Sequence, residues 1–531
     1  MTDQGNDTLL RKARLDIALG HDAEAVEAFE KALAGGGGSV RDHLDHGILL
    51  HRLGRHLDAI DAFEAARRRN PSNLDAALNL GRLRLRVGEI ETAIADFTEA
   101  DRLGALLSNL SDVLYTLNFS VDRSENEIAE AHRRLGSRFG SPVRDRKDFA
   151  SLRDRAGPTI RVGLLSGDLR VHPIGWYLRP LLPRLAQDSI EFVAFSEAAT
   201  MDALSEELRR SCIAWHRTRG MPDRDLERLV LDSECHVLLE LSGHTAANRL
   251  AVSARRLAPV QINWMGYANT TGIEAIDHVI GDRVVTPKWS HRHLTEKVIT
   301  MPGAAWCYEP PPFVREGRRT GRVGDGHVRF GCLGNPSKIN SDVVATWARV
   351  LISVPDARLR LRYHTYADPR LRERIRRAFD DRGIDPTRIE LRTGGGPSEM
   401  IGEYREIDVA LDTFPFSGCT TNAESMAMGV PVVSMPSRGI TGRHGATHVV
   451  RGGLEDWVVE TPDAFVDRAI AAAEDRASLA DLRSSLLERL PHTPLGDADR
   501  FAADLAKALR HAVQCWRDGE PPAAFEVASI D

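Results

Sequence analysis

Residues 407–436 read IDVALDTFPFSGCTTNAESMAMGVPVVSMP, an apolar strand followed by a polar loop and then a helical segment. This order is typical of phosphate binding, because backbone N–H groups at a helix start point at the ligand and the helix dipole favours negative charge. We expect the helix to begin near Thr420 or Thr421, with Gly418 letting the backbone approach a diphosphate. Glu424, about one turn later, is placed to accept hydrogen bonds from ribose hydroxyls.

Short apolar runs separated by helical patterns lie on both sides of this stretch. A first series after Gly157-Pro158 contains TIRVGLLSG, EFVAFSE, CHVLLELSG, VQINWMG and DHVIGD. A second series after the Gly- and Arg-rich stretch 316–327 contains VRFGCLGN, ARLRLRYHTY, RIELRTGGG, IDVALDTF and VPVVSMP. The alternation predicts two Rossmann-like lobes with parallel sheets, over 158–315 and 325–517, and a tail over 518–531. Other two-domain α/β proteins, such as a periplasmic-type binder or an epimerase, share this pattern, so the fold alone does not determine function.

The first hundred residues contain an internal repeat. Glycines at 20, 54 and 88 recur with a period of 34 residues, and Phe29, Phe63 and Phe97 keep the same register, as do alanines at 25, 59 and 93. This period and pattern resemble tetratricopeptide repeats, in which the small alanine allows two helices to cross closely and the glycine ends a helix. We therefore expect an α-helical tetratricopeptide superhelix over 1–104. A helical linker is predicted over 105–157, with Ser124 capping a helix that begins near Glu125.

Composition excludes several classes of protein. Hydrophobic residues make up 42% and charged residues 27%, which is ordinary for a folded globular chain. The net charge of −6 provides no overall basic field for nucleic acid. The N-terminus lacks a signal-peptide pattern and the sequence lacks a long apolar run, so neither export nor membrane insertion is expected. The six cysteines form no CxxC pair, which favours reduced thiols and the cytoplasm.

Four stretches carry a resemblance to a known family. They are DTFPFSGCTT with the following ESMAMGVPVV, FGCLGNPSKIN at 330–340, RVGLLSGDLRVHP from residue 161, and LSGHTAANRLAVSARRLAPVQINWMGYANTTG at 241–272. These resemble the motifs of the O-linked N-acetylglucosamine transferase and SPINDLY family. The resemblance implies repeats fused to a two-lobed GT-B glycosyltransferase whose donor, a nucleotide sugar, binds in the second lobe.

The resemblance also implies roles for residues of the donor site. Lys338, with Asn335 beside it, would reach the donor diphosphate and supply the charge that a metal ion provides elsewhere. Gly418, Cys419, Thr420, Thr421 and Glu424 would belong to the binding site of the same donor. The position before the paired threonines is Cys419, which has no base near it in sequence and is interpreted as loop packing. Met400 stands where the N-acetylglucosamine branch has a histidine packed on uracil, and it could cover a base less specifically.

The first-lobe motifs imply residues for the acceptor side of the reaction. His172 would accept the proton of the acceptor hydroxyl or orient the attacking group. His244, Thr245 and Tyr267 would lie at the acceptor and sugar rim, although Tyr267 fits a structural role equally well.

The function implied is an inverting, metal-independent transfer of a sugar to Ser or Thr of a protein acceptor bound by the repeats. No metal or other cofactor is expected, since the DxD patterns at Asp223–Asp225 and Asp497–Asp499 have the context of helix caps or surface. UDP-N-acetylglucosamine is the first candidate donor, GDP-fucose the second, and another activated sugar for a flagellin-directed enzyme the third. A non-catalytic repeat scaffold that senses a nucleotide sugar is the alternative from a different class.

Overall fold

The computed structural model describes residues 3–153, 157, 159–317 and 326–529. Pro158 and most of the Gly- and Arg-rich stretch 316–327, where the predicted lobe boundaries fall, lie outside the described residues. The chain divides into two compact units. The first unit comprises Met1–Ser120 and Cys332–Gly396, and the second unit comprises Val121–Gly331 and Pro397–Asp531.

The α-helices of the described residues are α1 (Asp3–Leu19), α2 (Asp22–Leu33), α3 (Val40–Arg52), α4 (His56–Arg69), α5 (Leu74–Val87), α6 (Ile90–Arg102), α7 (Leu107–Leu117), α8 (Glu125–Gly136), α9 (Ala150–Arg153), α10 (Pro173–Leu178), α11 (Leu181–Gln187), α12 (Ala203–Arg209), α13 (Asp223–Asp232), α14 (Leu250–Ser253), α15 (Pro312–Gly317), α16 (Ser341–Ser353), α17 (Pro369–Asp380), α18 (Pro397–Glu403), α19 (Thr420–Ala427), α20 (His444–Arg451), α21 (Pro462–Glu474), α22 (Arg476–Arg489) and α23 (Ala498–Arg517). The strands are β1 (Ile160–Ser166), β2 (Ile190–Ser196), β3 (Ala214–Arg217), β4 (Val237–Glu240), β5 (Val260–Asn263), β6 (His278–Asp282), β7 (Lys297–Met301), β8 (Arg329–Cys332), β9 (Arg358–Arg362), β10 (Ile389–Arg392), β11 (Val409–Leu411), β12 (Val432–Val433) and β13 (Phe525–Glu526).

Two sheets confirm the predicted α/β class. One has eight strands in the order β13-β7-β6-β5-β4-β1-β2-β3, and the other has five in the order β10-β9-β8-β11-β12. Every pair with a defined register is parallel, for example Val162 of β1 opposite Phe192 of β2 and Val237 of β4. All ten strands predicted from the sequence are present. Three more, β3, β7 and β13, extend the larger sheet, and β13 lies in the predicted tail.

In the first unit, α1 to α6 form three successive helical pairs with the 34-residue period. Gly20 and Gly54 adopt φ of 78°, a left-handed conformation that ends a helix without steric cost for glycine. Close helix approach is visible at Gly81, where an added Cβ would lie 2.7 Å from the ring of Phe97. The three repeat phenylalanines are buried, so the helical pairs make the contacts that the tetratricopeptide pattern predicts.

The repeats of the first unit also contact the segment around α17. The backbone N–H of Leu57 donates to Asp368 at 2.9 Å, and Arg370 forms ion pairs of 2.6 Å with Asp58 and Asp61. These polar contacts tie the second helical pair to the segment that contains α17.

In the second unit, the larger sheet is covered by the long helix α23. Phe501, Leu505 and Leu509 of this helix pack with apolar residues of β1 and β5 such as Leu164 and Ile262 in one buried cluster. Helix α8, which comes before the larger sheet in sequence, begins at Glu125 with Ser124 as its cap, as predicted. The Ser124 hydroxyl accepts a hydrogen bond from the backbone N–H of Glu127, and the Glu127 side chain accepts one from the backbone N–H of Ser124, which makes a capping box. Within the described part of the chain, no helix is both long and apolar enough to span a bilayer.

Candidate active site

The loop between β11 and α19 is fixed by one buried carboxylate. Asp412, at the end of β11, accepts from the backbone N–H groups of Gly418 at 2.6 Å and Thr413 at 2.9 Å with the same oxygen. Its other oxygen accepts from the Ser434 hydroxyl at 2.6 Å. The fit is tight, since a Cβ on Gly445 would lie 1.9 Å from this carboxylate. The loop that precedes the helix is therefore held in one conformation by non-local contacts.

Helix α19 begins at Thr420, as predicted, with Cys419 as its N-cap residue. Among the described residues, no side chain caps this helix start. Thr420 and Thr421 are partly exposed in its first turn, whereas Gly418 is buried. An uncapped helix start with two partly exposed threonines can donate several hydrogen bonds to an anion, which is the chemistry that a diphosphate requires.

Two histidines of α20 lie beside Cys419. Burial raises the pKa of the Cys419 thiol, but the charge of His448 and contacts with His444 and His448 lower it more, so that this pKa lies well below its ordinary value. Burial lowers the pKa of His448, and the opposite effect of Cys419 is larger, so that this pKa is raised. The two shifts have opposite signs, and each favours the charged form of its group. The sequence analysis found no base near Cys419, because the two histidines lie on α20, a different helix more than 20 residues later in the sequence.

Aromatic residues of the first lobe complete the surroundings of this pair. The Tyr177 hydroxyl lies 3.2 Å from Nε2 of His448, and the Trp306 ring stacks on the His448 ring with centroids 5.6 Å apart. Trp306 also meets His444 edge-on at 4.6 Å. Burial and the nearby Cys419 raise the pKa of Tyr177 well above its ordinary value, which keeps this hydroxyl a hydrogen-bond donor.

Glu424 lies on the same helix as the threonine pair. Its carboxylate accepts from the Tyr404 hydroxyl at 3.3 Å, and the same hydroxyl donates to the backbone carbonyl of Thr421 at 2.9 Å. Burial raises the pKa of Glu424 to about 7, although the bond from Tyr404 lowers it in part. Its role as a ribose partner stays a prediction. Met400 of α18 is half-buried in the same unit, and its packing on a base also stays a prediction.

His172 is the N-cap residue of α10. Its Nδ1 accepts from the backbone N–H of Ile174 at 3.3 Å, and its Nε2 lies 3.7 Å from Asp168. Burial lowers the pKa of His172, Asp168 raises it and Arg170 lowers it, with a net decrease. In the neutral ring, an accepting Nδ1 leaves the proton on Nε2. This geometry makes Nε2 a donor, which favours the orienting alternative over proton abstraction.

Two of the other first-lobe residues singled out from the sequence, His244 and Tyr267, take part in a buried network with His132 of α8. Nε2 of His244 bonds the Thr271 carbonyl at 2.8 Å, and Tyr267 bonds Nε2 of His132 at 2.6 Å. His244 and Tyr267 are 1% and 6% exposed. Thr245 is partly exposed, and its hydroxyl donates to the Ser242 carbonyl at 2.7 Å. These contacts describe packing, and a role at an acceptor rim stays a prediction for all three.

Asn335 and Lys338 lie in the first unit, in a short 3₁₀ turn at Pro336–Lys338. The Asn335 side chain accepts from the backbone N–H of Ser337 at 3.0 Å and caps this turn. Lys338 is partly exposed. The turn also contacts the third helical pair, where the Ser337 hydroxyl lies 3.5 Å from the Arg86 carbonyl. The repeats therefore support the loop that carries Lys338.

Comparison with known proteins identifies the family. The profile of glycosyl transferase family 41 matches residues 84–308 and 311–505. The chain belongs to glycosyl transferase family 41. The family resemblance predicted from the four sequence stretches is thereby confirmed.

Named relatives of this family 41 member include plant and bacterial proteins. The probable UDP-N-acetylglucosamine–peptide N-acetylglucosaminyltransferase SPINDLY of Solanum lycopersicum is 29% identical over 77% of this chain and 44% of its own length. The corresponding SEC protein of Arabidopsis thaliana is 22% identical over 75% of this chain and 42% of its own length. The chain thus spans less than half the length of these curated relatives. A solved structure of a variant of the Thermobaculum terrenum O-GlcNAc transferase superposes with a TM-score of 0.82 at 28% identity, covering 97% of this chain and 99% of that one.

The DxD patterns of this family 41 chain have the helical context that was predicted. Asp223 and Asp225 lie in the first turn of α13, and Asp497 is the N-cap residue of α23. The described residues contain no group of three or more His, Cys, Asp or Glu side chains arranged to hold a metal ion.

Proposed function

We propose that this protein transfers a sugar from a nucleoside diphosphate donor to Ser or Thr of a protein acceptor, with inversion at the anomeric carbon and without a metal ion. The observation that carries the proposal is the uncapped start of α19, held by Asp412 and exposing Thr420 and Thr421. UDP-N-acetylglucosamine is the proposed donor, since the names of the plant relatives specify it. GDP-fucose and other activated sugars are the alternatives.

In the proposed reaction, the acceptor hydroxyl attacks the anomeric carbon while the bond to the diphosphate breaks. Thr420, Thr421 and the helix start stabilise the departing charge, because fixed dipoles aimed at a developing anion lower the barrier. By family resemblance, Lys338 is assigned to the same diphosphate, with Asn335 shaping its turn. His172 is assigned to orient the attacking hydroxyl, in line with the hydrogen bond that its Nδ1 accepts from Ile174 and with the position of Asp168 3.7 Å from its Nε2.

The acceptor is proposed to bind the helical repeats. The cytoplasm is the proposed compartment, because the six cysteines form no CxxC pair in the sequence, a pattern that favours reduced thiols.

The deciding experiment combines donor binding with transfer. Thermal unfolding is followed with UDP-N-acetylglucosamine and GDP-fucose in turn, and intact-mass analysis of the host's proteins identifies the sugar added and its target. Ligand binding to the folded state raises the unfolding temperature, so the true donor stabilises the protein selectively. Absence of stabilisation by any nucleotide sugar, together with no added mass, would refute the proposal.

Lys338→Ala tests the diphosphate assignment, with the exposed Lys147→Ala as matched control. We expect Lys338→Ala to lower kcat/KM by on the order of 100-fold or more while the unfolding temperature without ligand stays unchanged. Full activity of Lys338→Ala would remove Lys338 from the mechanism.

A further inference from the structure

The N-cap cysteine of α19 lies beside two histidines of α20. Cys419 is partly exposed, and it lies against His444 and His448 of α20. Nε2 of His444 is buried without a hydrogen-bond partner among the described residues, and His444 itself is 4% exposed. Cys419 is therefore part of a built cluster of ionisable groups rather than an isolated thiol.

The cluster stabilises a negative sulfur in three ways. His448 supplies the opposite charge, and its ring is fixed by the Tyr177 hydroxyl at 3.2 Å and by stacking on Trp306. The Nδ1 atom of His448 bonds the His444 carbonyl at 2.6 Å, which directs Nε2 away from its own helix. The start of α19 adds the positive end of a helix dipole, an effect known to favour thiolates.

We propose that Cys419 is a modification site, a nucleophilic thiolate that hydroperoxides oxidise and electrophiles alkylate. In the oxidation, the sulfur attacks one peroxide oxygen, an S–O bond forms and the O–O bond breaks. The departing hydroxide takes the proton of the His448 imidazolium and leaves as water. The sulfur is oxidised by two electrons to the sulfenic acid, and the peroxide is reduced.

The consequence for the enzyme rests on the proposed function. Cys419 immediately precedes Thr420, the residue whose backbone and hydroxyl are assigned to the diphosphate. An added oxygen or carbamidomethyl group at this sulfur occupies space at the helix start and removes the compensating charge. Modification is thus expected to suppress donor binding, and reduction of the sulfenic acid by a thiol restores it.

The chain offers a matched internal control for reactivity. Cys212 is partly exposed like Cys419, but burial raises its pKa to about 12. An ordinary thiol of pKa about 8.5 is only about 3% ionised at pH 7. Because the pKa of Cys419 is lowered and that of Cys212 is raised, a larger fraction of Cys419 is ionised, and we expect it to be alkylated about tenfold or more faster than Cys212, even after allowance for the lower nucleophilicity of a stabilised thiolate.

The first test is timed alkylation of the full-length protein with iodoacetamide at pH 7 and mass spectrometry of each cysteine peptide. Faster reaction of Cys419 than of Cys212 supports the proposal, and an equal or slower rate overturns it. His448→Gln should lower the Cys419 rate about tenfold, and an unchanged rate in a folded variant would overturn the role of His448. The wild-type comparison needs no variant, so it decides the question even if His448→Gln fails to fold.

The second test treats the protein with hydrogen peroxide, traps sulfenic acid with dimedone, and measures UDP binding. Loss of binding that dithiothreitol reverses, and that disappears in Cys419→Ser, supports the regulatory consequence. A trapped Cys419 sulfenic acid with unchanged binding would overturn that consequence. The alkylation test uses no nucleotide, so its result can be interpreted even if the protein proves not to be a transferase.

Discussion

Replacing Asp412 by Asn should release the loop that precedes α19. The carboxylate accepts three hydrogen bonds, from Gly418, Thr413 and Ser434, at 2.6 to 2.9 Å, and it is 2% exposed. Asparagine has nearly the same shape as aspartate, but its amide NH₂ is a donor and would face one of the N–H or O–H groups that now donate to the carboxylate. Loss of charge-assisted bonds and burial of an unpaired donor cost about 2–4 kcal/mol locally.

Amide hydrogen exchange measures this cost at the affected groups. Since about 1.4 kcal/mol corresponds to tenfold, the protection of the Gly418 amide should fall by about 30- to 1000-fold in Asp412→Asn. UDP binding should weaken in parallel, because the helix start is no longer preorganised.

Two controls separate this effect from a general loss of stability. Ser434→Ala removes one of the three bonds and should reduce protection only about fivefold. Asp232→Asn, at an exposed position ending α13, should change nothing. Unchanged Gly418 protection in Asp412→Asn would refute the assignment of this carboxylate as the anchor of the loop.

Further predictions concern the donor site and the repeats. We propose that the ionised form of Glu424 accepts hydrogen bonds from ribose hydroxyls. Because burial raises the pKa of Glu424 to about 7, UDP affinity should increase as pH rises from 6 to 8, by up to tenfold per pH unit below 7, and Glu424→Gln should flatten this profile in calorimetric titrations. Because the pKa of Glu424 is higher in the folded state than in the unfolded state, its contribution to the free energy of unfolding is fully present below about pH 4.3. This contribution is lost as pH rises through about 7. Denaturation of the wild type and of Glu424→Gln at several pH values measures the loss. Gly81→Ala should lower the free energy of unfolding by about 1–2 kcal/mol in urea denaturation, because its Cβ would lie 2.7 Å from the Phe97 ring. Gly35→Ala, whose Cβ would have no atom within 4 Å, should leave the free energy of unfolding unchanged. Equal effects of the two variants would exclude steric crowding as the cause.

The sequence predicted the strands that carry strong local signals. Runs such as TIRVGLLSG and CHVLLELSG are apolar throughout, as expected for strands buried on both faces of a parallel sheet. No continuous apolar run marks β3, which has the sequence AWHR, or β13, which has two residues. These strands form because β2 and β7 offer them hydrogen-bond partners, and that pairing depends on the tertiary structure. The start of α19 was also predictable, since loop composition and helix pattern change within a few residues.

The role of histidines was the least predictable part of the site. His244 was expected at a rim from its motif, yet it lies 1% exposed against Tyr267 and His132. His448 was not singled out at all, because it lies on α20, which α19 and β12 separate in sequence from the loop that contains Cys419. Burial and proximity depend on how distant segments pack, and motifs report only neighbours in sequence.

By itself, the sequence determined the helical repeats, the parallel sheets and the helix that opens at Thr420, because periodicity, capping and glycine conformation are local properties. Only the tertiary structure decided that Cys419 meets His448, that Asp412 anchors the loop, and that Nδ1 of His172 accepts from its own helix start. Proton affinity and loop rigidity depend on the charges and dipoles packed around a group, and folding brings those together from separate parts of the chain.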